Sequence, residues 1–286
     1  MTPLVSIVVI TYKQAAFIAQ NLDGLLMQET NFPFEIIVSE DCSPDNTKEI
    51  VQQYADKHPA VIKFISRTKN VGAIINAQEA IYQCKGKYLA FCEGDDFWNN
   101  PNKLQTQVDF LESHLDFALV HTDVNLNYED TGNTIENHNK YYKINFPSGL
   151  IFENYLMENL FIQTCTVLVR KEIFLKSSDY DFFAKKNWLL QDLPTWLEIA
   201  ANYKIQYLPN TTATYRLSSE SASRTNDGSK QFKFQLSVYS IRFYFWRKYS
   251  KKLAYFLVLY FKFFKVIINY VLKSKKINHL KYLIHI

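Results

Sequence analysis

The chain of 286 residues is 48% hydrophobic and 16% aromatic, enough for one large α/β domain with an appendage or for two small domains. Seven glycines argue against a glycine-rich phosphate loop. The net charge of +4 is unevenly placed: no Asp or Glu follows Asp227, where 13 Lys and Arg lie, which leaves 19 basic against 28 acidic residues, a net −9, in residues 1–227. Such a body repels phosphate backbones, so nucleic acid is not expected as a partner.

Residues 4–10 (LVSIVVI) are a continuous apolar run, the pattern of a strand buried on both faces. Residues 14–28 place Phe17, Ile18, Leu22, Leu25 and Leu26 at helical spacing. A second strand is predicted at 34–38, running into Ser39, Glu40 and Asp41. Ser43-Pro44-Asp45 is a turn and cap for a helix over 46–55. A third strand at 61–65, a helix at 73–84 and a fourth strand at 88–92 follow. This alternation predicts a parallel sheet with helices on both faces. Further on, the pattern predicts a helix at 103–111, a strand at 117–121 and a polar loop or hairpin excursion at 125–148. A strand at 164–169, a helix at 190–201 and two short strands at 205–208 and 212–215 complete the body. The N-terminus has no basic segment or cleavage site and does not read as a signal peptide. Cys42, Cys84, Cys92 and Cys165 lack metal-ligand spacing, and the last three read as reduced core residues of a cytosolic protein.

The tail from Gln231 has its longest uncharged run at 253–261, short of the roughly 20 apolar residues that cross a bilayer. On one continuous helix, Arg247, Lys251, Lys262, Lys265, Asn269, Lys273 and Lys276 share roughly a third of the circumference beside aromatic faces. That pattern fits a helix lying in a membrane interface among anionic lipids. The other reading is an amphipathic hairpin packed on the body or on a second subunit. The expected division is a domain over 1–228 and a helical tail over 229–286.

The segment KYLAFCEGDDFW, residues 87–98, begins as a buried strand and ends in Glu93, Asp95 and Asp96 around Gly94. Carboxylates crowded at a strand's C-terminal end repel one another, and a divalent cation held by oxygen ligands offsets this. An open α/β sheet binds ligands at that edge. The alternative is a set of caps for a helix starting beyond Asn99-Asn100-Pro101. Thr11-Tyr12, Glu40-Asp41 and Asn70-Val71-Gly72 follow the other three strands, so four polar clusters are expected at one crevice. A nucleoside diphosphate has matching parts: a base, ribose hydroxyls that need acceptors and phosphates that need a cation.

The order VSIVVITYK, EIIVSEDCSPDNT, NVGA and YLAFCEGDDFW resembles the inverting glycosyltransferases of family 2, which have the GT-A fold. The resemblance is strong over about the first 115 residues and continues more weakly to about residue 224 through TCTVLVRKEIF, QDLPTWLEIA and YRLSSESAS. It implies an α/β fold with a GT-A-like, mostly parallel sheet flanked by helices, here with a C-terminal amphipathic helical tail. It implies that Thr11 and Tyr12 lie near the nucleotide base, that Asp41 bonds the base with Glu40 beside it, and that Asn70 and Gly72 line the nucleotide. Glu93-Gly94-Asp95 stands where the family has Asp-x-Asp, with Glu in the first place. By resemblance Asp95 and Glu93 hold Mn²⁺ or Mg²⁺, and Asp96 meets the sugar or supports the metal site. Asp192, in QDLPTW, is the implied general base. Many relatives read Tyr-Arg-x-His where this chain has Tyr215, Arg216 and then Ser218; Arg216, with Ser221 or Ser223, is expected to contact phosphate.

The implied reaction is inverting transfer from a nucleoside-diphosphate sugar, with UDP favoured, to a hydroxyl of a glycan or lipid-linked acceptor. The implied setting is bacterial surface polysaccharide synthesis at the cytoplasmic face of the membrane, with peripheral contact through the tail. Each residue also has a structural reading. Thr11-Tyr12 could begin a helix, Asp41 could form an Asx-turn, Gly72 could terminate a loop and Asp192 could cap a helix. Trp98, Trp196 and His121 read as core. A sugar-nucleotide pyrophosphorylase needs a lysine-bearing glycine loop after the first strand, and a nicotinamide-dependent dehydrogenase needs G-x-G-x-x-G there; Thr11-Tyr12-Lys13-Gln14 is neither. The remaining alternative is a non-catalytic nucleotide- or carbohydrate-binding component of a membrane-associated assembly.

Overall fold

The fold comes from a computed structural model that describes residues 2–158, 160–218 and 227–274. Ser221, Ser223 and Lys276 lie outside the described residues. The expected alternation opens the chain: β1 (Val5–Thr11), α1 (Ile18–Leu26), β2 (Phe34–Glu40), α2 (Thr47–Lys57), β3 (Ile62–Ser66), α3 (Ala73–Gln83) and β4 (Tyr88–Phe91). These strands pair in parallel in the order β3-β2-β1-β4. Val5, Ile7 and Val9 of β1 enter one apolar cluster and Val8 the other, so β1 is covered on both faces and reads as an unbroken apolar run. The winding reverses between β1 and β4, and the carboxyl ends of these two strands flank a crevice there.

The second half is β5 (Phe97–Trp98), α4 (Lys103–Ser113), β6 (Phe117–Tyr128), β7 (Asn133–Ile135), α5 (His138–Tyr141), α6 (Phe152–Met157), β8 (Leu168–Arg170), α7 (Lys171–Ser177), α8 (Tyr180–Lys185), α9 (Asp192–Asn202) and β9 (Lys204–Leu217). The sheet continues β4-β8-β6-β9-β5, with β7 hairpinned onto β6. β8 runs antiparallel to β4 and β6, while β6 and β9 are parallel.

Two sequence expectations change. The strand expected at 164–169 is a 3₁₀ turn, Thr164–Thr166, followed by the three residues of β8. Its carbonyls are taken by side chains: Trp98 Nε1 donates to Cys165 O, and Gln107 Nε2 to Thr166 O, both at 2.8 Å. The two short strands at 205–208 and 212–215 are one strand, β9. Pro209 has no amide to donate, and it lies where the register with β6 jumps from Leu208 to Thr211.

The tail is two helices, α10 (Gly228–Phe245) and α11 (Leu253–Ser274), joined through a single π-helical turn. α10 carries apolar residues on two sides, and each side is covered. Ile241 and Phe245 join the body's core, and Ser237 Oγ accepts from Leu189 N–H at 2.8 Å. The opposite side, with Phe232, Tyr239 and Phe243, meets α11. The body's core therefore does not stop at residue 228. The expected basic stripe is also broken. Arg247 and Lys251 sit in the π turn and its left-handed exit (Lys251 φ 56°), off the α11 face that carries Lys262 and Lys265.

Candidate active site

The acidic turn after β4 is built against the end of β1. A Cβ on Gly94 would stand 2.8 Å from Thr11 Oγ1 and 2.4 Å from Gln14 Oε1, so only glycine lets the turn lie there. Among the described residues those two buried atoms have no hydrogen-bond partner. Asn21, buried on α1, holds the turn from below: its Nδ2 donates to Glu93 O at 2.8 Å and to Asp96 O at 2.9 Å. From the far end of β9, Arg216 N–H donates to Asp96 Oδ1, and the Arg216 guanidinium reaches Asp95 O, Glu129 and Gln20. That guanidinium is stacked between the rings of Phe17 and Phe97 at 4.7 and 4.8 Å.

The three carboxylates differ in place and state. Asp96 is buried, and burial followed by the charges of Asp95 and Glu93 raises its pKa well above the ordinary value. It supports the turn from behind and does not reach the crevice surface. Asp95 is half-buried; burial raises its carboxyl, while Arg216 and an amide hydrogen bond from Gln14 work in the opposite direction. Glu93 is pushed up to about 7, by burial first and then by the charges of Asp95 and Asp192. Asp192 opens α9, its Oδ1 accepts from Leu193 N–H at 2.7 Å, and burial raises its pKa.

Glu93 and Asp192 lie on the wall of one cavity of about 580 Å³. Its polar wall includes Gln163, Thr164, Tyr180 and Gln191; its apolar wall includes Ile74, Phe161, Leu190 and, from α10, Phe234. The residues expected around a nucleotide form a neighbouring cluster at the end of β2. Asp41 accepts from Val71 and Gly72 N–H, both at 2.8 Å, and Asn70 Nδ2 donates to Asp41 O at 3.0 Å. Gly72, at φ 85°, starts α3, whose first residues Ala73 and Ile74 line the cavity. Tyr12 is exposed beside this cluster.

Two expected contacts are directed elsewhere. Glu40 is fully buried, and its carboxylate accepts from Cys42 and Ser43 N–H, holding the turn that presents Asp41. Arg216 is buried, with its donors engaged as described, and is built into the support of the acidic turn. Asn21, Gln14 and Arg67 were not legible as site residues. Arg67 Nε lies 3.9 Å from Asp41 Oδ1, brought there by β3, and nothing in its local sequence points to that.

Among the described residues no three His, Cys, Asp or Glu side chains are grouped to hold a metal. The oxygen donors present nevertheless fit a hard cation that also binds phosphate oxygens. Burial first, and then the charges of Asp95 and Asp192, raises the Glu93 carboxyl, and among the described residues Thr11 Oγ1 and Gln14 Oε1 have no partner beside the turn.

A sheet wound β3-β2-β1-β4 with an acidic turn at its switch point, continued by β8-β6-β9 over that turn, is the arrangement of the GT-A fold. The chain matches Glycosyl transferase family 2 over residues 6–176 and belongs to that family. It is 34% identical over 211 residues to an uncharacterised protein of Mycobacterium tuberculosis, a match covering 74% of this chain and 58% of that protein. The chain thus spans little more than half the length of that relative. A second relative, the teichuronic acid biosynthesis glycosyltransferase named TuaG of Bacillus subtilis, is 29% identical over 77% of this chain and 82% of its own. In fold the chain is similar to S. aureus TarS in complex with UDP-GlcNAc (TM-score 0.56, 17% identity, 83% of this chain and 66% of that one). It is also similar to the mannosyltransferase PcManGT of Pyrobaculum calidifontis in complex with GDP-Man and Mn²⁺ (TM-score 0.58, 15% identity, 92% and 70%).

Proposed function

We propose that the chain transfers a sugar from a nucleoside-diphosphate sugar, preferably a UDP-sugar, to a hydroxyl of a glycan or lipid-linked acceptor, with inversion at the anomeric carbon. The observation that carries this reading is that Glu93 and Asp192, 99 positions apart in the sequence, share one cavity wall closely enough for Asp192 to raise the pKa of Glu93. Asp192 is the general base. Its carboxylate takes the proton from the acceptor hydroxyl as that oxygen attacks the sugar from the side opposite the leaving diphosphate. Burial raises its pKa and so strengthens it as a base.

Asp95 and Glu93 would hold the Mn²⁺ or Mg²⁺, whose chemistry there is to neutralise charge developing on the leaving diphosphate. Arg216, Asn21 and Asp96 keep the acidic turn in place for that binding. Thr11, Tyr12, Asp41, Asn70 and Gly72 are the nucleotide cradle: Asp41 shapes the 70–72 segment, and Tyr12 offers an exposed ring for the base. The name of TuaG supports a surface-polymer setting, and the UDP-GlcNAc and the GDP-Man with Mn²⁺ bound to the two fold neighbours support a sugar-nucleotide donor. The proposed location is the cytoplasmic side of the cell membrane, in peripheral contact with it.

The test is calorimetric titration of the full chain with UDP, GDP and dTDP, with and without Mn²⁺. Manganese-dependent binding of UDP in preference to the others is expected. If none of the three binds to folded protein, the acidic turn is only a set of helix and strand caps.

A further inference from the structure

α11 is apolar on two sides, and among the described residues the fold covers one of them. Leu259, Phe263 and Ile267 are buried against α10. On the other side Leu257, Phe261, Phe264, Ile268 and Leu272 recur at i, i+4, i+7, i+11 and i+15, a single stripe along the helix. All five are exposed, Phe261 at 66% and Leu272 at 73%. The 20 residues Leu253–Leu272 have a mean hydropathy of 1.6, so length and composition alone would admit a helix that crosses a bilayer.

The packing argues against crossing. The inner face is stacked along α10, Phe232 on Tyr270 and Tyr239 on Phe263, and α10 is itself bound into the acidic body. At mid-helix Lys262 Nζ donates to Met157 O at 2.6 Å, which ties α11 to the body beside α6. A helix fixed along its length to a water-soluble body presents only its outer side.

The charge around that stripe selects the occupant. No carboxylate follows Asp227, and among the described residues Arg247, Lys251 and Lys265 are exposed and have no acidic partner. Residues 1–227 are acidic, so the α10–α11 end of the chain is the end that a negatively charged surface would attract. Aromatic and aliphatic side chains flanked by cations are the composition of a helix resting at the boundary of headgroups and acyl chains.

We propose that the outer face of α11 lies flat in the headgroup layer of an anionic lipid surface and does not cross it. The α10–α11 pair is then a sandwich: lipid outside α11, and the cavity wall at Phe234 and Gln235 on the body side of α10. This proposal rests on the peripheral membrane contact proposed above and names the face that makes it; it fails or survives separately from the transfer reaction.

The experiment is co-sedimentation of the full chain with vesicles of phosphatidylcholine alone or with about one lipid in three as phosphatidylglycerol. Binding to the anionic vesicles, weakened by salt and at least about tenfold weaker on neutral ones, is expected. The double change Phe261→Glu with Phe264→Glu should cut that binding at least about tenfold, while circular dichroism and metal-dependent nucleotide binding stay as in the parent chain. Equal binding by the double variant overturns the assignment of the face. A dimer in sedimentation analysis that the same variant dissociates, with no vesicle binding by the parent, makes the stripe a contact between two copies. Retention of the chain in cell membranes washed with alkaline carbonate means that α11 crosses, and overturns the flat arrangement.

Discussion

The backbone N–H of Arg216 donates to Asp96 Oδ1 at 2.9 Å, joining residues 120 positions apart in the chain. Through this contact β9, the last strand, clamps the turn that carries Glu93 and Asp95. The clamp is reinforced by the guanidinium, which serves Asp95 O, Glu129 and Gln20 in one plane between two phenyl rings. Arg216→Ala leaves those acceptors unserved in a mostly buried site and is expected to cost about 3 kcal/mol. Arg216→Lys should recover little, because an ammonium cannot match a planar fork. Urea unfolding midpoints measure both; a midpoint unchanged in Arg216→Ala would mean that the clamp contributes nothing to stability.

Asp192→Asn retains a side-chain oxygen to accept from Leu193 N–H, so α9 should start as before. Nucleotide affinity is expected to be unchanged and transfer to fall by about 10²–10⁴-fold. Calorimetry and product formation separate the two effects. Transfer at the parent rate would remove Asp192 from the base role.

Asp95→Ala removes one of the two oxygen donors of the acidic turn. Nucleotide binding in manganese should weaken by at least about tenfold, toward the affinity seen without metal. The comparison is a pair of titrations, with metal and with chelator; equal affinities for parent and variant in manganese would count against Asp95 as a ligand.

Lys103 is buried beneath the site, with Nζ 4.4 Å from the centre of the Trp98 ring and bonded to Gln107 at 2.6 Å. Burial lowers its pKa from 10.5 to about 7. Between these values the unfolded chain binds the extra proton and the folded chain does not, so this group makes stability rise with pH from about 7 to about 10.5. Below about 7 both states are protonated and the full penalty of the buried ammonium is present. Lys103→Met should therefore gain most over the parent at or below pH 7, with the gain shrinking steadily toward pH 10. Paired unfolding curves across that range check it; a difference independent of pH would show that Lys103 is charged in both states.

The βαβ half of the molecule was legible because its signals are local. A β-branched run such as residues 4–10 has no other good use than a strand covered on both faces, and Gly94 among carboxylates marks a turn that nothing larger could form. The second half was less legible. The stretch 164–169 has strand composition, but its carbonyls are claimed by Trp98, Lys103 and Gln107, and only the folded chain brings those side chains beneath it. From its place after a strand, Glu40 is expected to face the nucleotide. Its rotamer instead follows two amides of the turn at Cys42 and Ser43, whose positive φ at Cys42 turns them toward it.

By itself the sequence determined the sheet's first four strands, the place of the acidic turn and the family, because periodicity, glycine sterics and the order of short motifs are properties of neighbouring residues. Tertiary structure alone decided which acids reach the cavity. Glu93 and Asp192 meet there, while Asp96, Glu40 and Arg216 are turned into its support. Among the described residues it also decided that α10 packs into the body's core and leaves the outer face of α11 open. Burial and hydrogen-bond partners arise from contacts between segments as far apart as residues 21, 96 and 216, and no pattern along the chain encodes which of several like side chains is taken up by such a contact.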